Sequence, residues 1–148
     1  AQRYLKRLQR ELKDFKSNPP AGIEIEDCDD ITRWVIKVTG VEGTIFAGEV
    51  YRLQFRFAKM YPMESPEVMF IGDSPAHPHI YTNGHICLSI LYDNWSPALT
   101  AASVCVSIQS MMSSCDKKGR PSDNDRYVRN YGGRSPKDTT WVFHDDTV

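Results

Sequence analysis

Cys87 closes the stretch His77-Pro78-His79-Ile80-Tyr81-Thr82-Asn83-Gly84-His85-Ile86-Cys87, which puts one thiol and three imidazoles within eleven residues. A thiolate is a nucleophile, a leaving group and a metal ligand, and its surroundings decide which of these it serves as. Three chemistries are open. His77, His79, His85 and Cys87 are four ligand types that zinc accepts, but HxH-x5-HxC is not a familiar ligand spacing, and no metal is expected. A cysteine hydrolase needs a base on the thiol, and His79 or His85 is near enough in sequence. In an extended backbone, His85 and Cys87 share a face. The residues around Cys87 match no known hydrolase signature. The third chemistry is acyl carriage, in which the thiol accepts an acyl group by thioester exchange and passes it to an amine. That needs an oxyanion donor, a constrained loop and a route for the amine's proton.

The rest of the chain must hold this segment. Tyr4, Leu5, Leu8, Leu12 and Phe15 recur at helical spacing, so residues 2–16 read as an amphipathic helix that Asn18-Pro19-Pro20 stops. In 32–38, Trp34, Ile36 and Val38 alternate with Arg33, Val35 and Lys37. In 50–57, Tyr51, Leu53, Phe55 and Phe57 alternate with Arg52, Gln54 and Arg56. Each reads as a strand with one dry and one wet face. Glu67-Val68-Met69-Phe70 is a shorter strand. Residues 71–99 have little regular pattern, and long irregular segments inside a domain are usually functional. Helix returns near 101–114, capped by Thr100, with Val104, Cys105, Ile108, Met111 and Met112 facing inward. Pro121 opens a short helix near 122–131 that Gly132-Gly133 ends.

A chain of 148 residues suits one domain with a real core. A net charge of −1 argues against a nucleic-acid binder. The first sixteen residues are locally basic: Arg3, Lys6, Arg7, Arg10, Lys13 and Lys16 stand against Glu11 and Asp14. That end either meets an acidic partner or is a solvated helix face. Cys28, Cys87, Cys105 and Cys115 show no paired spacing, which predicts free thiols in a reducing compartment. No apolar run approaches 18 residues, so no membrane span is expected. The expected location is cytoplasm or nucleus.

His77-Pro78-His79, followed eight residues later by Cys87 in Asn83-Gly84-His85-Ile86-Cys87-Leu88, resembles the active site of ubiquitin-conjugating enzymes. Tyr61-Pro62-Met63-Glu64-Ser65-Pro66 is similar to that family's Tyr-Pro-Phe-x-x-Pro loop, and Trp95-Ser96-Pro97-Ala98-Leu99 to its Trp-Ser-Pro-Ala-Leu loop. The resemblance covers residues 1–131. It implies an α+β fold: an N-terminal helix, a four-stranded antiparallel meander, an irregular active-site segment, a central helix and a short C-terminal helix. Residues 132–148 are then an irregular tail that docks by its aromatics or stays mobile. Two departures stand out. His79 replaces the family's Asn. The loop Asp116-Lys117-Lys118-Gly119-Arg120-Pro121 is basic where the family carries an acid. With the closing Trp141…His144-Asp145-Asp146-Thr147, they resemble the W-type branch, whose members modify protein N-termini.

The resemblance implies that Cys87 accepts ubiquitin as a thioester. His79 then supports the oxyanion or braces the loop, His77 shapes the loop, and His85, expected to face solvent, tunes the thiol if charged. Arg3, Lys6, Arg7 and Arg10 would meet the activating enzyme. Met63, Ser96, Pro97 and Ala98 would meet ligases of RING or U-box type. Protein substrates with accessible N-termini complete the partners, and no membrane or nucleic acid is among them. No cofactor is expected, because ATP is used only by the activating enzyme. The missing acid bears on the attacking amine. At pH 7 about 0.04% of a free lysine amine is neutral, against about 14% of an α-amine. That ratio, a few hundredfold, is worth roughly 3.5 kcal/mol, so an enzyme attacking α-amines can do without a carboxylate to strip the proton. Two other functions fit the residues: lysine-directed conjugation of ubiquitin or a related modifier, and a non-catalytic ubiquitin-pathway binding module.

Overall fold

The computed structural model describes residues 2–143. Helix α1 (Gln2–Ser17) leads into four strands, β1 (Ile23–Asp30), β2 (Arg33–Thr39), β3 (Val50–Arg56) and β4 (Glu67–Ile71), followed by α2 (Ala101–Ser113) and α3 (Asn124–Tyr131). The strands form one antiparallel sheet in sequence order. Ile36 pairs with Leu53 and Leu53 with Phe70, which aligns the dry positions of three strands on one face. Trp34, Ile36, Val38, Leu53, Phe55 and Phe70 lie in one buried cluster with Leu8 and Phe15 of α1 and Val104, Cys105, Ile108 and Met112 of α2. Phe15 meets Trp34 edge-on, with ring centroids 6.5 Å apart. The Cys105 thiol is buried there, and burial pushes its pKa far up, so it packs as a hydrophobe.

The elements match the periodicities, with three corrections. Leu5, expected inward, is exposed, and Leu12 is only half-buried. Glu11 takes the buried place on α1 instead. Val35 and Gln54, expected on the wet face, are also buried. They pair across β2 and β3, and Arg33 Nε donates to Gln54 Oε1 at 2.8 Å over them. The long side chains of the outer face cover its centre with their stems. The last helix begins at Asn124, because residues 121–123 form a turn in which Asn124 N–H donates to the Pro121 carbonyl.

Glu11 shows how the helices are located. Its carboxylate accepts from Arg7 Nε (2.6 Å), Tyr61 Oη (2.5 Å) and the Ala101 backbone N–H (2.9 Å) at the start of α2. The negative charge also suits the positive end of α2. Thr100 completes that end: its hydroxyl accepts from Ser103 N–H while Ser103 Oγ accepts from Thr100 N–H. One buried carboxylate thus joins α1, the loop after β3 and α2. Glu11→Gln leaves Arg7 without its counter-charge, and breaking a buried pair from one side costs about 3 kcal/mol. Urea unfolding should show that loss with an unchanged denaturant slope. A change below about 0.5 kcal/mol, the range of an ordinary surface substitution, would contradict the assigned role.

Candidate active site

The segment bearing Cys87 is a small hairpin fastened to the sheet edge. Ile80 and Ile86 form an antiparallel bridge, Tyr81 N–H donates to the His85 carbonyl (2.9 Å), and Gly84 N–H donates to the Tyr81 carbonyl (3.0 Å). Asn83 Oδ1 accepts from His85 N–H and holds the turn. Gly84 is required there. Its φ is +91°, and a Cβ would sit 2.0 Å from the Phe70 carbonyl oxygen. That close approach lets the Gly84 carbonyl accept from Phe70 N–H at 2.9 Å, pinning the hairpin to β4. At the open end, Cys87 N–H donates to the His79 carbonyl at 2.8 Å. The eight-residue separation of His79 and Cys87 is therefore the length of the hairpin.

His77 anchors the other strand of this hairpin. Its Nδ1 accepts from the His79 N–H (2.9 Å) and its Nε2 lies 3.2 Å from the Met111 carbonyl near the end of α2. An accepting Nδ1 puts the proton on Nε2, so the ring is the neutral tautomer that donates to Met111. It is fully buried, and burial holds its pKa down at about 4, against the pull of the Met111 carbonyl. His79 lines the cavity beside Cys87.

His85 corrects an expectation. It is fully buried rather than solvent-facing, with Nδ1 2.8 Å from the Tyr127 hydroxyl, and burial lowers its pKa. A neutral, enclosed ring supplies no charge to the thiol, so His85 is a brace between the hairpin and α3. Among the described residues, no group of three His, Cys, Asp or Glu side chains converges as a metal cluster would.

Cys87 itself is almost buried, and Sγ donates to the Val142 carbonyl at 3.4 Å. The tail is therefore docked as far as residue 143. Trp141 stacks on Tyr92 (5.0 Å) and packs on Tyr127 (5.4 Å), and its Nε1 donates to the Pro136 carbonyl. His144, Asp145, Asp146 and Thr147 lie outside the described residues. Beside the thiol opens a cavity of about 650 Å³, walled by His79, Tyr81, Arg120, Asp123, Arg126 and Trp141 among others. Tyr81 stacks face to face on Tyr127 at 3.8 Å and donates its hydroxyl to Asp123 Oδ1 at 2.9 Å. The hydroxyl's own pKa is raised, first by burial and then by Asp123. Sequence reasoning assigned no role to Tyr81 or Tyr127. Of the basic loop's cations, Arg120 alone lines the cavity. Its guanidinium donates to Ser74 Oγ, the Ser74 carbonyl and the Ile80 carbonyl, while Lys118 pairs with Glu49.

Two further surfaces were expected from the sequence. Met63 is 70% exposed, Pro97 and Ala98 are exposed and Ser96 is half-buried. Trp95 ties their two loops together by donating from Nε1 to the Pro62 carbonyl at 2.8 Å. Arg3, Lys6 and Arg10 are exposed on α1, but Arg7 is not free with them. It donates to Glu11, the Pro97 carbonyl (3.0 Å) and the Leu99 carbonyl (2.9 Å), holding the Ser96-Pro97-Ala98 loop against α1. No helix among the described residues is long and apolar enough to cross a membrane.

A family profile described as ubiquitin-conjugating enzyme matches residues 7–142. The chain is 60% identical over 146 residues to the probable ubiquitin-conjugating enzyme E2 W of Dictyostelium discoideum, covering 99% of this chain and 98% of that one. It is 52% identical to ubiquitin-conjugating enzyme E2 W of Caenorhabditis elegans, covering 97% and 96%. The crystal structure of ubiquitin conjugating enzyme E2 UbcA1 from Agrocybe aegerita superposes with a TM-score of 0.87 at 45% identity, covering 90% of this chain and 98% of that one.

The buried histidines make stability depend on pH. In the unfolded chain His77 binds its proton below about pH 6.5; in the folded protein it does so only near pH 4. Stability is therefore intact above pH 6.5 and falls as the pH drops toward 4, because the unfolded state binds the extra proton. Between pH 7.5 and pH 5, His77 alone contributes a loss of about 2 kcal/mol, and His85 acts in the same direction. Urea unfolding at the two pH values measures it, and equal stability at both would contradict the neutral, buried assignment.

Proposed function

Because the chain belongs to the ubiquitin-conjugating enzyme family, and to its W-type branch, we propose that Cys87 carries ubiquitin as a thioester and transfers it to protein N-terminal α-amines. Ubiquitin, its activating enzyme and ubiquitin ligases are the partners that the family implies. ATP enters through the activating enzyme alone. The observation that carries the reading is the arrangement at Cys87: a thiol on a pinned hairpin, opening on a polar cavity whose carboxylate among the described residues, Asp123, already accepts the Tyr81 hydroxyl.

In charging, Cys87 sulfur attacks the carbonyl carbon of ubiquitin's thioester on the activating enzyme. The new C–S bond forms, the activating enzyme's sulfur leaves, and the Cys87 proton passes to solvent. The hydrogen bond from the thiol to the Val142 carbonyl must break at this step. In transfer, the substrate nitrogen attacks the carbonyl carbon, the C–N bond forms, the C–S bond breaks, and Cys87 departs as thiolate. The nitrogen sheds a proton to solvent. Between these events the carbonyl oxygen carries negative charge. His79, on the cavity wall and on the strand that binds Cys87 N–H, either donates to that oxyanion from its ring or holds the hairpin that does.

The choice of amine rests on the proton. Among the described residues, the one carboxylate on the cavity wall, Asp123, already accepts the Tyr81 hydroxyl and faces Arg126 Nη2 at 3.8 Å. Arg120 and Arg126 beside it disfavour an incoming ammonium and favour its neutral form. An α-amine meets these conditions with a far larger neutral fraction than lysine. The same Asp123 is also the observation that favours the lysine-directed alternative, as an acceptor for a lysine proton. Single-turnover discharge of the ubiquitin-charged protein separates the two. A peptide with a free α-amine and no lysine should react at least tenfold faster than an N-acetylated peptide with one lysine, within the few-hundredfold span set by the neutral fractions. Equal rates would contradict the α-amine reading, and a faster lysine peptide would assign the enzyme to lysine.

A further inference from the structure

Resting on the α-amine reading, we infer that the α3 side of the active site is a docking rim for acidic residues that directly follow the substrate's N-terminus. The cavity at Cys87 does not end at its own wall. Arg120, Asp123 and Arg126 are shared with an adjoining groove of about 700 Å³, which adds Asp125 and Arg129. An extended chain advances about 3.5 Å per residue. When the attacking nitrogen is at Cys87, residues two to five of the substrate run across the cavity into this groove.

The groove's charge selects what it holds. Its lining carries Arg120, Arg126 and Arg129 against Asp123 and Asp125, a net of +1 in a chain of net −1. The carboxylates that line it are engaged from within. Asp123 Oδ1 accepts from Tyr81, Asp123 Oδ2 faces Arg126, and Asp125 Oδ1 accepts from Asn124 Nδ2. The cations are more open. Arg126 is 71% exposed and Arg129 exposed, and neither guanidinium donates a hydrogen bond among the described residues. At 3.8 Å, the Arg126–Asp123 approach is an ion pair that leaves the guanidinium N–H groups available. Two planar guanidinium forks on one helix, three residues apart, suit carboxylates on an extended peptide. Basic peptide segments meet the same cations as repulsion, so the rim discriminates in both directions.

The test uses three free-amine peptides, Ala-Glu-Gly-Glu, Ala-Gln-Gly-Gln and Ala-Arg-Gly-Arg, each continued by one neutral tail, in single-turnover discharge of the charged protein. The acidic peptide should discharge about three- to tenfold faster than the neutral one at low salt, since exposed ion pairs are individually weak. The arginine peptide should be slowest. High salt should narrow the gap, and R126E/R129E should erase or invert it. Equal rates for the three peptides, or a gap that survives R126E/R129E, would overturn the rim. Slower charging of R126E/R129E by the activating enzyme, with no change in peptide ranking, would instead assign these arginines to that partner and also overturn it. The same series with an N-acetyl cap and one lysine distinguishes the two readings. If lysine reacts as fast as the α-amine while the acidic preference persists, amine choice fails and the rim stands.

Discussion

The hydrogen bond from Cys87 N–H to the His79 carbonyl is the constraint on which the rest of the site depends. It closes a nine-residue segment whose middle is fastened to β4 through Gly84 and Phe70. A nucleophile on a mobile loop loses the alignment that makes an attack effectively unimolecular. Here the sulfur sits at the end of a strand-like segment supported by backbone bonds on both sides. Two histidines of the segment, His77 and His85, are neutral and fully buried, so they fix its geometry without adding charge. On the proposed function, the chemistry then falls to the sulfur, the oxyanion donor and the cavity.

Helix α2 is what joins this site to the surfaces expected to meet partners. Its first N–H is held by Glu11 and, near its last turn, the Met111 carbonyl is held by His77. Glu11 also holds Arg7 and Tyr61, and Arg7 holds the Ser96-Pro97-Ala98 loop. Buried polar networks of this kind are costly when incomplete and stiff when satisfied. One helix, satisfied at both ends by side chains from elsewhere in the chain, thereby sets the position of the loop surface and of the thiol together.

The periodic elements were readable from the sequence because burial imposes a period. The α2 stripe of Val104, Cys105, Ile108, Met111 and Met112 and the Thr100 cap are both present as read. Strand β1 was harder to see, since Ile23-Glu24-Ile25-Glu26-Asp27-Cys28-Asp29-Asp30 is mostly acidic, and only its pairing with β2 makes it a strand. Glu11 and His85 were misplaced for one reason: polarity reads as exposure unless the partner is known, and their partners lie 50, 90 and 42 residues away. The motif residues around Cys87 were legible through family resemblance. The Tyr81–Tyr127–Trp141 wall was not, because aromatic stacking between distant segments leaves no local spacing. The tail's docking to residue 143 depends on the same contacts.

The most direct measurement is intact-mass analysis of the protein after incubation with activating enzyme, ubiquitin and ATP, without reductant. The account predicts one added ubiquitin that thiols remove, lost in Cys87→Ala and replaced in Cys87→Ser by a thiol-resistant oxyester at residue 87. A wild-type protein that never gains this mass, or that gains it equally in Cys87→Ala, would contradict it.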